Sequence, residues 1–115
     1  MKGLYPPKVR KAVDGLLTKP GVCSPALRAS VVAYADGLWG GIRQNEELPA
    51  DLVEYVTKVA LYAYKTTDDD VTRLKEAGYS EDAIFEITLC ASMGAGLARL
   101  EKGLMLLKKG DTPCV

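Results

Sequence analysis

The chain has 115 residues, enough for one domain around a single core, and its 15 basic residues balance its 15 acidic ones. A formal charge of zero gives no electrostatic case for a nucleic-acid partner or for an anionic membrane surface. The N-terminal stretch MKGLYPPKVRKAVDG has no apolar core of the signal-peptide kind, and no uncharged run approaches the roughly 20 residues that span a bilayer, so a cytoplasmic location is expected.

In chain order, Pro6 and Pro7 open a first helix with Val9, Val13, Leu16 and Leu17 on one face, and Lys19-Pro20-Gly21 ends it. Ser24 followed by Pro25 reads as a cap with proline at the first helical position. The second helix sets Leu27, Val31, Tyr34, Ala35 and Leu38 on one side and stops at Trp39-Gly40-Gly41. Residues 42–48 are polar and loop-like. Pro49 starts a third helix whose inner face is Leu52, Val56, Val59, Ala60 and Ala63, with Glu54 and Lys58 paired one turn apart.

Thr67 or Asp68 caps a short fourth helix, and its run of Asp68, Asp69 and Asp70 suits the positive end of the helix dipole better than it suits a metal. Gly78 closes that helix in a left-handed conformation. Ser80 then caps the last helix, Tyr79 staples onto Ile84, and the helix runs to about Lys109 before Gly110-Asp111-Thr112-Pro113. Residues 87–98 carry no charge. One stripe of this helix is small (Ala91, Gly94, Ala95, Ala98) and another is large (Phe85, Leu89, Met93, Leu97, Leu100, Leu104, Leu107). Interior glycines cost roughly 1 kcal/mol each against alanine, so Gly94 and Gly96 predict a closely approaching neighbour. Arg99 and Glu101 are expected to form a salt-bridged rim. A helix apolar on nearly every side belongs at a bundle centre or is shared with another subunit. The expected fold is all-α with five helices in one domain, 1–115.

Chemistry-bearing residues are sparse. There is no histidine, and Cys23, Cys90 and Cys114 form no Cys-x-x-Cys and no metal spacing. They read as idle thiols of a reducing compartment, with Cys23 and Cys90 as an alternative redox pair. No metal or cofactor is expected, since Gly94-x-Gly96 lies in mid-helix with Arg99 in the third position of a nucleotide fingerprint.

Residues 48–107 resemble the carboxymuconolactone decarboxylase and alkylhydroperoxidase D-like superfamily. The likeness rests on Lys75-Glu76-Ala77-Gly78-Tyr79-Ser80-Glu81-Asp82-Ala83-Ile84 and on Ala95-Gly96-Leu97-Ala98-Arg99-Leu100-Glu101. It implies an alkylhydroperoxidase D-like bundle assembled as a homo-oligomer, a trimer or hexamer. The superfamily's usual Cys-x-x-Cys-x-x-x-His falls here on Ala63, Thr66 and Asp70, and its upstream carboxylate on Asp51. Thiol peroxidase chemistry needs an attacking thiolate, a resolving thiol and a proton relay, and the implied positions hold none of these.

The expected function is therefore a redox-inactive relative, a small-molecule-binding or oligomeric scaffold module that admits a small apolar or carboxylate ligand. Its candidate pocket residues are Tyr62, Ala63, Tyr64 and Lys65. Two enzyme readings stand beside it. One is a decarboxylase or isomerase using Asp51 and Asp70 with a tyrosine, Thr66 being a further candidate. The other is an atypical thiol peroxidase using Cys23 or Cys90.

Overall fold

A computed structural model describes residues 6–40 and 47–109. Among these residues the chain is all helical: α1 (Pro7–Thr18), α2 (Pro25–Leu38), α3 (Ala50–Leu61), α4 (Asp68–Glu76) and α5 (Glu81–Lys109), with one 3-10 turn, Ala63–Lys65, after α3. The expectations for Gly41, for residues 42–46, for the stop at residues 110–113 and for Cys114 lie outside the described residues.

The helix boundaries follow local chemistry. Ser24 Oγ accepts the Leu27 N–H at 3.1 Å, with Pro25 in the first turn. At α4 the Asp70 carboxylate reaches back to the Thr67 N–H at 2.9 Å, one half of a capping box. Gly78 takes φ 105°, and the Tyr79 N–H returns to the Leu74 carbonyl while the Gly78 N–H returns to Lys75, both at 3.0 Å. That paired closure is the Schellman arrangement, which the left-handed glycine makes possible. Ser80 Oγ then accepts the Ala83 N–H at 3.1 Å and starts α5.

The core lies between α2, α3 and α5, and the small stripe of α5 faces it. Val31, Ala35, Leu52, Val56, Cys90 and Ala91 are fully buried. A side chain at Gly94 would run into the Val32 carbonyl and come within 2.8 Å of Ala35 Cβ, so glycine is what lets α2 lie this close. A Cβ at Gly96 would meet no atom outside its own helix backbone within 4 Å. The expected close neighbour is therefore present at Gly94 and not at Gly96, because the two glycines sit on opposite sides of the helix. The large stripe is split: Leu97 is buried, whereas Phe85 is 66% and Leu107 71% exposed.

Polar contacts fix how the helices cross. Thr88 Oγ1 donates to the Ile84 carbonyl at 2.7 Å, so the Tyr55 hydroxyl, 2.6 Å from Thr88 Oγ1, is the donor in that pair. Trp39 Nε1 donates to the Ala60 carbonyl at 2.8 Å and ties the end of α2 to the last turn of α3. Arg99 and Glu101 are not paired with each other. They are two residues apart on a helix and point to opposite sides, with Arg99 stacked 4.2 Å above the Trp39 ring and Glu101 buried. By length and composition α5 could cross a membrane, but half of its most apolar window is buried inside the bundle, as in a core helix.

Candidate functional site

Most of the residues singled out by the sequence lie where α3 ends and α4 begins. α3 stops at Leu61: the backbone of Tyr62 leaves the helical region at φ −139°, although its N–H still reaches the Lys58 carbonyl at 2.7 Å. The chain then makes the turn Ala63–Lys65, and Thr66 Oγ1 donates to the Ala63 carbonyl at 2.7 Å. Helical periodicity puts Ala63 on the inner face of α3. With the helix ended two residues earlier, Ala63 is exposed instead, and the buried aromatic of α3 is Tyr55.

Tyr62, Tyr64, Lys65 and Thr66 are exposed as well, Tyr64 by 82%. The Lys65 ammonium stands 5.0 Å from the centre of the Tyr62 ring and 5.9 Å from that of Tyr64. Both tyrosines thus spend a face on a surface cation–π contact. This segment is exposed surface.

Asp70 differs in kind. It is buried, with Oδ1 2.9 Å from Lys58 Nζ and Oδ2 accepting from the Thr67 N–H at 2.9 Å. The bond from Lys58, and after it the backbone of Thr67, hold its carboxyl below the ordinary carboxylate value. Such a carboxylate is ionised and already bonded at both oxygens, which makes it a weak base. Lys58 also reaches Glu54 at 3.7 Å, the expected pair one turn back.

Asp51 is exposed at the start of α3 and accepts the Tyr79 hydroxyl proton at 2.9 Å. Burial first, and then the Asp51 carboxylate, push the Tyr79 phenol up to about 12. Asp51 and Asp70 do come together, in one depression of about 40 Å³ that Glu54, Tyr55, Arg73 and Leu74 complete. That depression is small, on the scale of a few water molecules.

The two described thiols are inside. Cys23 and Cys90 are free and buried. Burial, followed by the Glu86 charge, raises the Cys23 pKa, and Cys23 Sγ lies 3.6 Å from the Ala83 carbonyl as a donor. Burial pushes Cys90 up to about 11. Both shifts lower the thiolate fraction that nucleophilic chemistry requires.

Two residues that local sequence patterns do not single out organise the other end of the bundle. Glu86 accepts the Val22 N–H at 2.7 Å and the Cys23 N–H at 3.0 Å, holding the α1–α2 loop against α5. A Cβ on Gly21 would lie 2.8 Å from Glu86 Oε1, so the carboxylate would have to shift to admit it. Arg28 is 5% exposed and donates from Nη1 to the Leu16 carbonyl at 2.7 Å. Its Nε and Nη2 have no hydrogen-bond partner among the described residues. The available signal for both was a charge on an otherwise apolar face.

No family model, no curated protein and no solved structure matches this chain.

Proposed function

We propose that this chain is a redox-inactive module of alkylhydroperoxidase D and carboxymuconolactone decarboxylase-like type that serves as a homo-oligomeric scaffold, assembled through the outer face of α5. The observation that carries the reading is that face itself. Phe85, Ser92, Gly96, Arg99, Gly103 and Leu106 recur at spacings of seven, four, three, four and three, the seam of a helix that pairs with another. All six are exposed, and a Cβ at Gly96 or Gly103 would meet nothing within 4 Å. Two interior glycines forgo roughly 1 kcal/mol each of helix propensity with no packing return inside the single chain. A second copy of α5 laid along the seam supplies that return, with Phe85 and Leu106 covering its ends. Arg99 leans over Trp39 and leaves the middle of the seam to small residues. Zero net charge adds no repulsion between copies.

The catalytic alternatives have less behind them. Asp70 is held by Lys58 and Thr67, and the two thiols are buried. Sedimentation equilibrium of the full chain across the micromolar range tests the proposal. A multiple of the chain mass is expected, together with dissociation of Gly96→Leu, which the single chain tolerates because the site is open. A wild-type mass of one chain throughout, or turnover of an organic hydroperoxide by the purified protein, would overturn it.

A further inference from the structure

The charges of α5 are sorted along its length. Its first two turns hold Glu81, Asp82 and Glu86, and its last three turns hold Arg99, Lys102 and Lys108, with Glu101 the one acid among them and buried. Residues 87–98 between them carry no charge. These side chains match the dipole of α5 itself and outweigh its half charges, so each end presents the sign of its side chains. Part of the acidic end is engaged locally: Glu81 meets Lys75 at 2.8 Å, and Glu86 accepts the Val22 and Cys23 N–H groups. Asp82, Lys102 and Lys108 are exposed and make no ion pair among the described residues.

That sorting gives the seam a direction. A parallel pair would set like charges together at both ends and would bring Arg99 of one copy beside Arg99 of the other in mid-seam, two cations with no acid between them. An antiparallel pair sets the acidic end of each copy against the basic end of the other. The seam residues supply a register. With Phe85 level with Leu106 of the second copy, Arg99 comes level with Ser92, whose Oγ donates to the Thr88 carbonyl and keeps its lone pairs for a guanidinium. The exposed Leu89 comes level with Lys102, whose methylene stem covers it. The two copies of Gly96, each open in the single chain, then face each other where the helices cross. From Phe85 to Leu106 the contact runs ~32 Å at the helical rise. We infer that α5 pairs antiparallel with α5 of a second copy, about a two-fold axis beside Gly96, with Phe85 against Leu106 and Arg99 against Ser92. Such a contact is self-complementary and closes after two copies, so a larger assembly that uses it contains an even number of chains.

The inference rests on the pairing proposed above, and cross-linking separates the two. Ser92→Cys and Arg99→Cys are made singly in a full chain carrying Cys114→Ser, Cys23 and Cys90 being buried, and are treated with dibromobimane, a short thiol-to-thiol linker. A mixture of the two variants should give a linked dimer. Either variant alone should not, because the two copies of position 92, like those of position 99, lie about 10 Å apart along an antiparallel pair. Should removal of Arg99 from the Trp39 ring disturb the fold, Phe85→Cys mixed with Leu106→Cys reads the same arrangement at the ends of the seam. Raising sodium chloride from about 50 mM to about 500 mM should weaken the wild-type association several-fold, since opposite charges face each other at both ends. Linked dimers from a single variant, an unlinked mixture that still sediments as a multiple, association strengthened by salt, or a mass of three chains would each overturn the antiparallel arrangement and leave association itself standing. A mass of one chain throughout would overturn both.

Discussion

Gly94 and Gly96 are two residues apart in one helix, and their surroundings could hardly differ more. A methyl group at Gly94 meets the Val32 carbonyl and Ala35, main chain that cannot rotate out of the way, whereas one at Gly96 meets nothing within 4 Å. Gly94→Ala is therefore expected to cost about 1–3 kcal/mol through overpacking. Gly96→Ala should raise the stability of the dissociated chain by about 0.5–1 kcal/mol, because it removes a helix-interior glycine without a clash. Under the proposed pairing, the same change should raise the concentration needed for assembly. Urea unfolding of both variants at low protein concentration checks the first pair of signs, and sedimentation checks the third. If Gly94→Ala proved neutral, the close α2–α5 approach would be wrong. Sequence alone assigned both glycines one role, because periodicity groups residues by face without saying which face the neighbour occupies. Asp70 teaches a related lesson. Counting along the chain marked it as a candidate acid or base, but its bonds to Lys58 and Thr67 make it part of the α4 cap as well. Loss of activity in Asp70→Asn would thus not separate chemistry from stability.

At the scale of elements, local signals translate well and non-local ones do not. Ser24-Pro25, Thr67, Gly78 and Ser80 set the starts and stops of α2, α4 and α5, since caps act within a few residues. The inner face of α3 was readable up to Leu61, and the early end that exposes Ala63 was not, because no proline or glycine marks it. The bond from Glu86 to the α1–α2 loop joins residues 64 positions apart and leaves no periodic trace. That carboxylate is held below its ordinary value first by the Cys23 N–H, then by that of Val22, so both bonds are made to the charged form. Glu86→Gln keeps one good acceptor and loses the charge. The expected result is a loss of about 1 kcal/mol and faster amide hydrogen exchange at Val22 and Cys23, with α3 and α4 amides unaffected. Uniform acceleration across all helices would mean that the loop is not an independent unit and that Glu86 acts on the whole core.

For the whole molecule, the shifted groups fall into two sets that bound its stability from opposite sides. Asp70, Glu81 and Glu86 all sit below their ordinary values of 3.8, 4.5 and 4.5, so the folded chain binds their protons more weakly than the unfolded one. The stability they contribute is present above those values and disappears as pH falls through the folded ones. Cys90 and Tyr79 work in reverse, raised from 9.0 to about 11 and from 10.0 to about 12, with Cys23 raised as well. Their contribution is complete below the ordinary values and is lost as pH rises toward the folded ones. For Cys90 the change corresponds to about 3 kcal/mol. The sequence contains no histidine, so no side chain of ordinary pKa titrates between these arms. The urea midpoint plotted against pH should therefore form a flat plateau through neutrality. Its acid edge should fall in the carboxylate range and its alkaline edge should begin near the ordinary thiol value of 9.0. Cys90→Ala tests the assignment. It should lower the plateau slightly through a small cavity and shrink the first part of the alkaline decline, of which Cys23 supplies the remainder, leaving the later part that belongs to Tyr79. An alkaline edge unchanged by that substitution would show that the thiol ionises in the folded chain much as it does in the unfolded one. The buried environment of α5 around Cys90 would then have to be more open than its packing against α2 allows.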